Sequence, residues 1–414
     1  MSQPLRRAAA LAAASMLTAL TLAPSAALAA DDPHELSVNG SGECTFPMKE
    51  QIEGTPWPLQ RVLLDELWQD TKGKGVRVAV IDTGVDNDNI QLKPAVDASA
   101  GKDLLKPDKK SGDEKRGKTN GTVDLVGHGT KVAGIIAARP RKGTGFVGIA
   151  PEATIIPIRQ NDENNSGNDR TMATAIDHAI AKGADVINIS QDTTKPLGLD
   201  SVLNRAVQRA IRAGTVVVAS AGNDGMDGEL KNTYPAAFPG VLAVASSDRN
   251  NERAAFSQAG DFVGVAAPGV DVVSTVPGNG QCIDNGTSFS APYVAGVAAL
   301  LKAKHPKWTP AEIIAEIEQT ATRSINGHDN FVGWGVIDPV RALSGDDKPQ
   351  PAPRPDPGPA KPPAPEPAHL AMTETAQERN ARYATYAVGI CVVLVAVIAG
   401  TATVIRDTTQ KRSS

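Results

Sequence analysis

Five apolar runs punctuate the middle of the chain, at residues 76–81, 154–158, 184–189, 215–220 and 241–245. They are rich in β-branched residues and nearly continuous rather than alternating, the pattern of parallel strands buried on both faces. Between them, residues 171–182 and 201–213 carry apolar positions at helical spacing. Strands that alternate with helices predict an α/β domain over residues 57–343, with a mostly parallel central sheet and helices on both faces. In such sheets chemistry gathers beyond the carboxyl ends of the strands.

Two apolar stretches lie outside this region and read differently. Residues 8–23 follow Arg6 and Arg7 and lead to Ala27-Leu28-Ala29, a small-residue cleavage pattern, so residues 1–29 are expected to be a signal peptide. Residues 387–405 contain no charge and span about 28 Å as a helix, close to the thickness of a bilayer core. Tyr383 and Tyr386 precede this run, and Arg406, Lys411 and Arg412 follow it. A membrane-spanning helix with residues 406–414 in the cytoplasm is expected. Ten of the thirty prolines fall between Pro349 and Pro367, so residues 344–370 form a stiff spacer, followed by a juxtamembrane segment at 371–386. Residues 30–56 are an N-terminal extension, too short to fold alone as an inhibitory domain.

Composition narrows the classes further. Of the 414 residues 41% are hydrophobic and 21% charged, enough apolar surface for a large core. The net charge of −4 removes the electrostatic footprint of a dedicated nucleic-acid binder. Three cysteines exclude a four-thiolate zinc site, no local run of metal ligands stands out, and no cofactor is expected.

The first apolar run leads into Asp82-Thr83-Gly84, placing a carboxylate at a strand end where burial demands a partner. Alone this triplet also suits an aspartic protease, but such enzymes need two. His128 sits in Gly127-His128-Gly129-Thr130 at the head of an apolar, small-residue helix. Ser288 opens another helix, with Pro292 expected in its first turn, and free N–H groups at the helix start favour an oxyanion beside its Oγ. Ser290 is an alternative as a plain cap. Asn223, just past the fourth apolar run, offers an amide donor to the same oxyanion.

The chain order Asp82, His128, Ser288, with Asn223 between the last two, is the order of subtilisin. VAVIDTGV, GHGTKVAGIIAA, ASAGND and NGTSFSAPYVAGVAALL resemble four sequence blocks of the subtilisin-like serine proteases, over about residues 70–343. That resemblance implies Ser288 as nucleophile, His128 as general base, Asp82 as its orienting carboxylate and Asn223 as oxyanion donor. The layout of signal, short extension, protease body, proline-rich spacer, single anchor and basic tail resembles the mycosins, membrane-anchored subtilases associated with type VII secretion. It implies a membrane location, body outside, with protein or peptide substrates and the secretion complex as partners. A mainly structural role in that complex is the alternative.

The chain also departs from the family pattern. Gln191-Asp192-Thr193 stands after Ser190, where secreted degradative members usually have Leu-Gly, so the primary specificity pocket is expected to differ. Residues 102–118 form a highly charged insert, expected as a solvated loop. An oxidising compartment suggests a disulfide between Cys44 and Cys282, with two separate thiols as the alternative.

Overall fold

The computed structural model describes residues 35–37, 50–105, 118–162, 164, 166–345, 350–357 and 374–412. The five apolar runs become strands β2 (Arg77–Asp82), β4 (Thr154–Arg159), β6 (Val186–Ile189), β7 (Val216–Ser220) and β8 (Leu242–Ser247). Together with β3 (Lys102–Asp103) and β9 (Val263–Pro268) they form a seven-stranded parallel sheet in the order β3-β4-β2-β6-β7-β8-β9. The two-residue period of a strand divides each run between two cores. Val78 and Val80 face one cluster, while Ala79 and Ile81 face the other.

Helices α4 (Asp169–Ala181) and α5 (Val202–Arg212) cover the second face, the two that residues 171–182 and 201–213 predict. Asn168 and Ser201 cap them with side-chain oxygens. The first face carries α3 (His128–Ala137), α6 (Thr287–Lys304), α7 (Pro310–Thr320) and α8 (Pro339–Ser344). Thr309 and Glu312 make the capping box of α7 that Thr-Pro-Ala-Glu announces. Helix α6 is buried from Thr287 to Lys302, which explains why its sequence is apolar on every side.

Pro292 is the sixth residue of α6, so it lies in the second turn and not, as expected, in the first. It has no N–H to give to the carbonyl of Ser288. That carbonyl accepts the hydroxyl of Ser190 at 3.0 Å instead, which ties the start of α6 to the end of β6.

Two smaller sheets complete the body. Strands β10 (Val272–Thr275) and β11 (Gln281–Asp284) form an antiparallel ribbon ahead of α6. Strand β1 (Glu35–Ser37), in the extension, pairs antiparallel with β5 (Ser166–Asn168). Residues 50–57 also lie on the body: Gln281 N donates to Glu50 O at 3.0 Å, Gly145 N to Ile52 O at 3.2 Å, and Trp57 Nε1 to Val270 O at 3.0 Å. Two short helices follow, α1 (Trp57–Gln60) and α2 (Leu64–Leu67).

A separate unit from residue 357 onward contains α9 (Ala376–Arg412). Thr375 and Glu378 exchange hydrogen bonds at its start. Its best 18-residue window has a mean hydropathy of 2.7, long and apolar enough to cross a membrane. The expected signal peptide lies outside the described residues, as do Cys44, most of the charged insert and most of the proline-rich spacer.

Candidate active site

Strand order reverses at β2. From β2 the chain goes to β3 and β4 on one side, then crosses to β6 on the other. A crevice opens where the two halves part, and Asp82 closes β2 there. Its side chain is fully buried, and Oδ1 accepts Thr83 N at 2.7 Å.

His128 reaches Asp82 because of how α3 begins. The residue before it, Gly127, has φ +86 and no side chain with which to cap the helix. The cap comes from elsewhere: Asp124 Oδ2 accepts Thr130 N (2.9 Å), and Thr83 Oγ1 accepts Gly129 N (2.9 Å). Thr83 Oγ1 in turn donates to Asp124 Oδ1 at 2.9 Å, and Gly127 N donates to the same oxygen at 2.7 Å. Gly129 is required by contact, since a Cβ there would fall 2.1 Å from Gly84 O and 3.1 Å from Asp82 Oδ1. Burial pushes the Asp124 carboxyl up, against the hydrogen bonds from Thr130 and Gly127 that favour its charged form, and the nearby Asp82 adds to the rise.

The result is a buried dyad. His128 Nδ1–H donates to Asp82 Oδ1 at 2.8 Å, which fixes the tautomer and leaves Nε2 as the acceptor nitrogen. Nε2 is buried and has no hydrogen-bond partner among the described residues. An imidazole nitrogen held in this way is set to take a proton from a group arriving in the crevice.

Helix α6 brings Ser288 to the same crevice. The Phe289 ring lies 5.5 Å from the His128 ring, between centroids. Lys131, one turn along α3 from His128, makes a buried ion pair with Asp284 at the end of β11, and its ammonium stands 5.3 Å over the Phe289 ring. The two helix starts are thereby tied together. Ser288 Oγ donates to the carbonyl of Ser190 at 3.2 Å rather than to His128. Asn223 lies beside them: its Oδ1 accepts Thr287 N at 2.9 Å and Thr287 Oγ1 at 3.0 Å, which orients the amide so that Nδ2 is its donor end. Ser290 is inside α6 and is not its cap; its Oγ is buried and unpartnered among the described residues.

Three contributors were not legible beforehand. Thr83 and Asp124 shape the start of α3, and an aspartate three residues before Gly127 was the available signal. Ser190, with its hydroxyl on the Ser288 carbonyl and its own carbonyl accepting the Ser288 hydroxyl, gave no signal beyond its place at a strand end. Cys282 is buried in β11, opposite Ser274, six residues ahead of Ser288. No group of three or more His, Cys, Asp or Glu suited to a metal ion occurs among the described residues.

The chain as a whole is similar to known proteins. Residues 73–335 match the subtilase family, peptidase S8. Subtilisin E of Bacillus subtilis is 36% identical over 290 residues, which cover 70% of this chain and 71% of that protein. Mycosin-1 of Mycolicibacterium smegmatis is also 36% identical, over 72% of this chain and 75% of its own length. Among solved structures, MycP1 from Mycobacterium smegmatis superposes with a TM-score of 0.63 at 31% identity, covering 80% of this chain and 93% of that one. MycP3 protease from the type VII (ESX-3) secretion system gives 0.63 at 31% identity, over 76% and 93%. With a matched segment that runs from just before β2 to just before α8 and holds the whole crevice, this chain belongs to the subtilase family and is a subtilisin-like serine endopeptidase related to the mycosins.

Proposed function

We propose that this chain is a membrane-anchored endopeptidase that cuts proteins outside the membrane, in the service of type VII secretion. Ser288 attacks the scissile carbonyl once its hydroxyl leaves the Ser190 carbonyl for His128 Nε2. His128 takes the proton and later gives it to the departing amine, while Asp82 holds the imidazole and stabilises its charged form. Asn223 and the backbone N–H of Ser288 receive the oxyanion. The observation that carries this reading is the buried Asp82–His128 hydrogen bond, which leaves Nε2 as the acceptor nitrogen, without a partner among the described residues.

The anchor is the apolar run 387–405 within α9, and the basic residues after it face the cytoplasm. Residues 344–370 space the body from the bilayer, and residues 1–29 are removed as a signal peptide. The link to secretion is supported by likeness to mycosin-1 and to MycP1 of the ESX-1 type VII secretion system.

A structural role in a secretion complex is the second reading. It is favoured by the extension, two segments of which are laid onto the body. A secretome comparison separates the two. If hydrolysis is the task that matters, a Ser288→Ala strain loses the same exported or processed proteins as a full deletion. If the deletion loses exports that Ser288→Ala retains, the folded body itself supports export.

The extension is further proposed to be fastened by a Cys44–Cys282 disulfide. Glu50 is bonded to Gln281, next to Cys282, and only six residues of chain separate Glu50 from Cys44, up to about 20 Å when extended. Peptide mapping without reductant should yield one linked Cys44–Cys282 peptide that separates on reduction. Two unlinked peptides would remove the pairing.

A further inference from the structure

The segment where the chain departs from its family lies beside the nucleophile, and its side chains part company there. Gln191 turns into the sheet, where its Nε2 donates to Ile81 O at 3.1 Å and its Oε1 meets Gln160. Asp192 goes elsewhere. In the β6–β7 pairing Ile189 is opposite Ala219, so counting on brings Asp192 level with Gly222, the residue before Asn223. The contact bears this out: a Cβ on Gly222, whose φ is +100, would lie 2.9 Å from Asp192 Oδ2.

Asp192 is only 7% exposed. No hydrogen bond and no cation serves its carboxylate among the described residues. Burial, and secondly the charge of Asp224, pushes it up to about 7. An aspartate buried this far without a counterion is costly unless a ligand supplies one. A cleft of about 760 Å³ opens two residues further along the chain, lined by Thr194, Asp224, Asp227 and Tyr234 among others. Lys231 also lines it, but that ammonium is already held by Asp227 and Glu229.

The position relative to Ser288 says which part of a substrate would come here. Ser190, two residues before Asp192, takes the Ser288 hydroxyl on its carbonyl, and Gly222 leads into the oxyanion donor Asn223. An acyl group with its carbon at Ser288 Oγ and its oxygen toward Asn223 would bring its own side chain to these two neighbouring segments. We propose that Asp192 is the specificity-determining residue of this site, pairing with the ammonium or guanidinium of a substrate lysine or arginine on the acyl side of the cut bond. This rests on the hydrolytic reading given above.

The test uses the purified full-length chain in detergent and fluorogenic peptides that differ only at that residue. Lysine and arginine peptides should exceed the leucine peptide in kcat/KM by about 10²-fold or more, since a buried polar group is left unpaired by the apolar substrate. Asp192→Asn should shrink that ratio at least about tenfold. A wild-type preference for leucine or alanine overturns the inference, and so does a ratio that Asp192→Asn leaves unmoved. Labelling of Ser288 by a fluorophosphonate is run alongside. A labelled enzyme without basic preference overturns this inference alone, whereas an unlabelled wild type overturns it together with the hydrolytic reading. If Asp192→Asn takes no label, Asp192→Gly is scored in its place, and the wild-type preference still decides.

Discussion

Ser288→Ala should lower turnover of a peptide substrate about 10⁶-fold, the loss that removal of the nucleophile causes in subtilisin itself. The change deletes one oxygen and with it one hydrogen bond, from Ser288 Oγ to Ser190 O. Such a bond contributes about 1 kcal/mol, and alanine is the better helix former. The melting temperature should therefore stay within roughly 4 °C. The Ser190 hydroxyl remains bonded to the backbone carbonyl of residue 288, so the start of α6 keeps its place. Stopped-flow or long-incubation assays on the purified variant, with calorimetry on the same sample, check both parts. Turnover within about tenfold of wild type would remove Ser288 from the mechanism.

Asn223→Ala is expected to cost about 10²–10³ in kcat with a smaller change in KM, again a magnitude established in subtilisin. A donor to the oxyanion acts in the transition state and not on the bound substrate, so in the proposed role its loss would fall on kcat. A second consequence is structural: Asn223 Oδ1 accepts both Thr287 N and Thr287 Oγ1, and truncation leaves these donors unserved at the start of α6. Asn223→Asp separates the two roles. It retains an oxygen for Thr287 but places a carboxylate where the oxyanion develops, so it should be at least as inactive as the alanine variant. An Asn223→Asp variant with wild-type kcat would show that Asn223 serves α6 alone.

The sheet was legible because its strands are buried on both faces and therefore apolar throughout, as in 76–81 and 241–245. Strand β9 was not, because Val263-Gly264-Val265-Ala266-Ala267-Pro268 is built from small residues and ends in proline. Motif order placed Asp82, His128, Ser288 and Asn223 around one crevice, since spacing along the chain matters less than position at the end of a strand or the start of a helix. What escaped was long-range support. The capping of α3 by Thr83 and Asp124 joins residues up to 46 apart and leaves no local periodicity. The place of Pro292 followed the same logic: the sequence shows a proline near a helix start, but only the carbonyl it releases to Ser190 reveals which turn it occupies.

The borrowed cap of α3 also bears on the order of events in folding. A helix that carries its own cap can form early from neighbouring residues, but α3 starts after a glycine and depends on Thr83, just past β2, and on Asp124 in the loop before it. Contacts of large sequence separation come late, after the loop-closure entropy has been met. A nascent or half-folded copy of this chain should therefore lack the Asp82–His128 pair until β2 and the loop carrying Asp124 have come together.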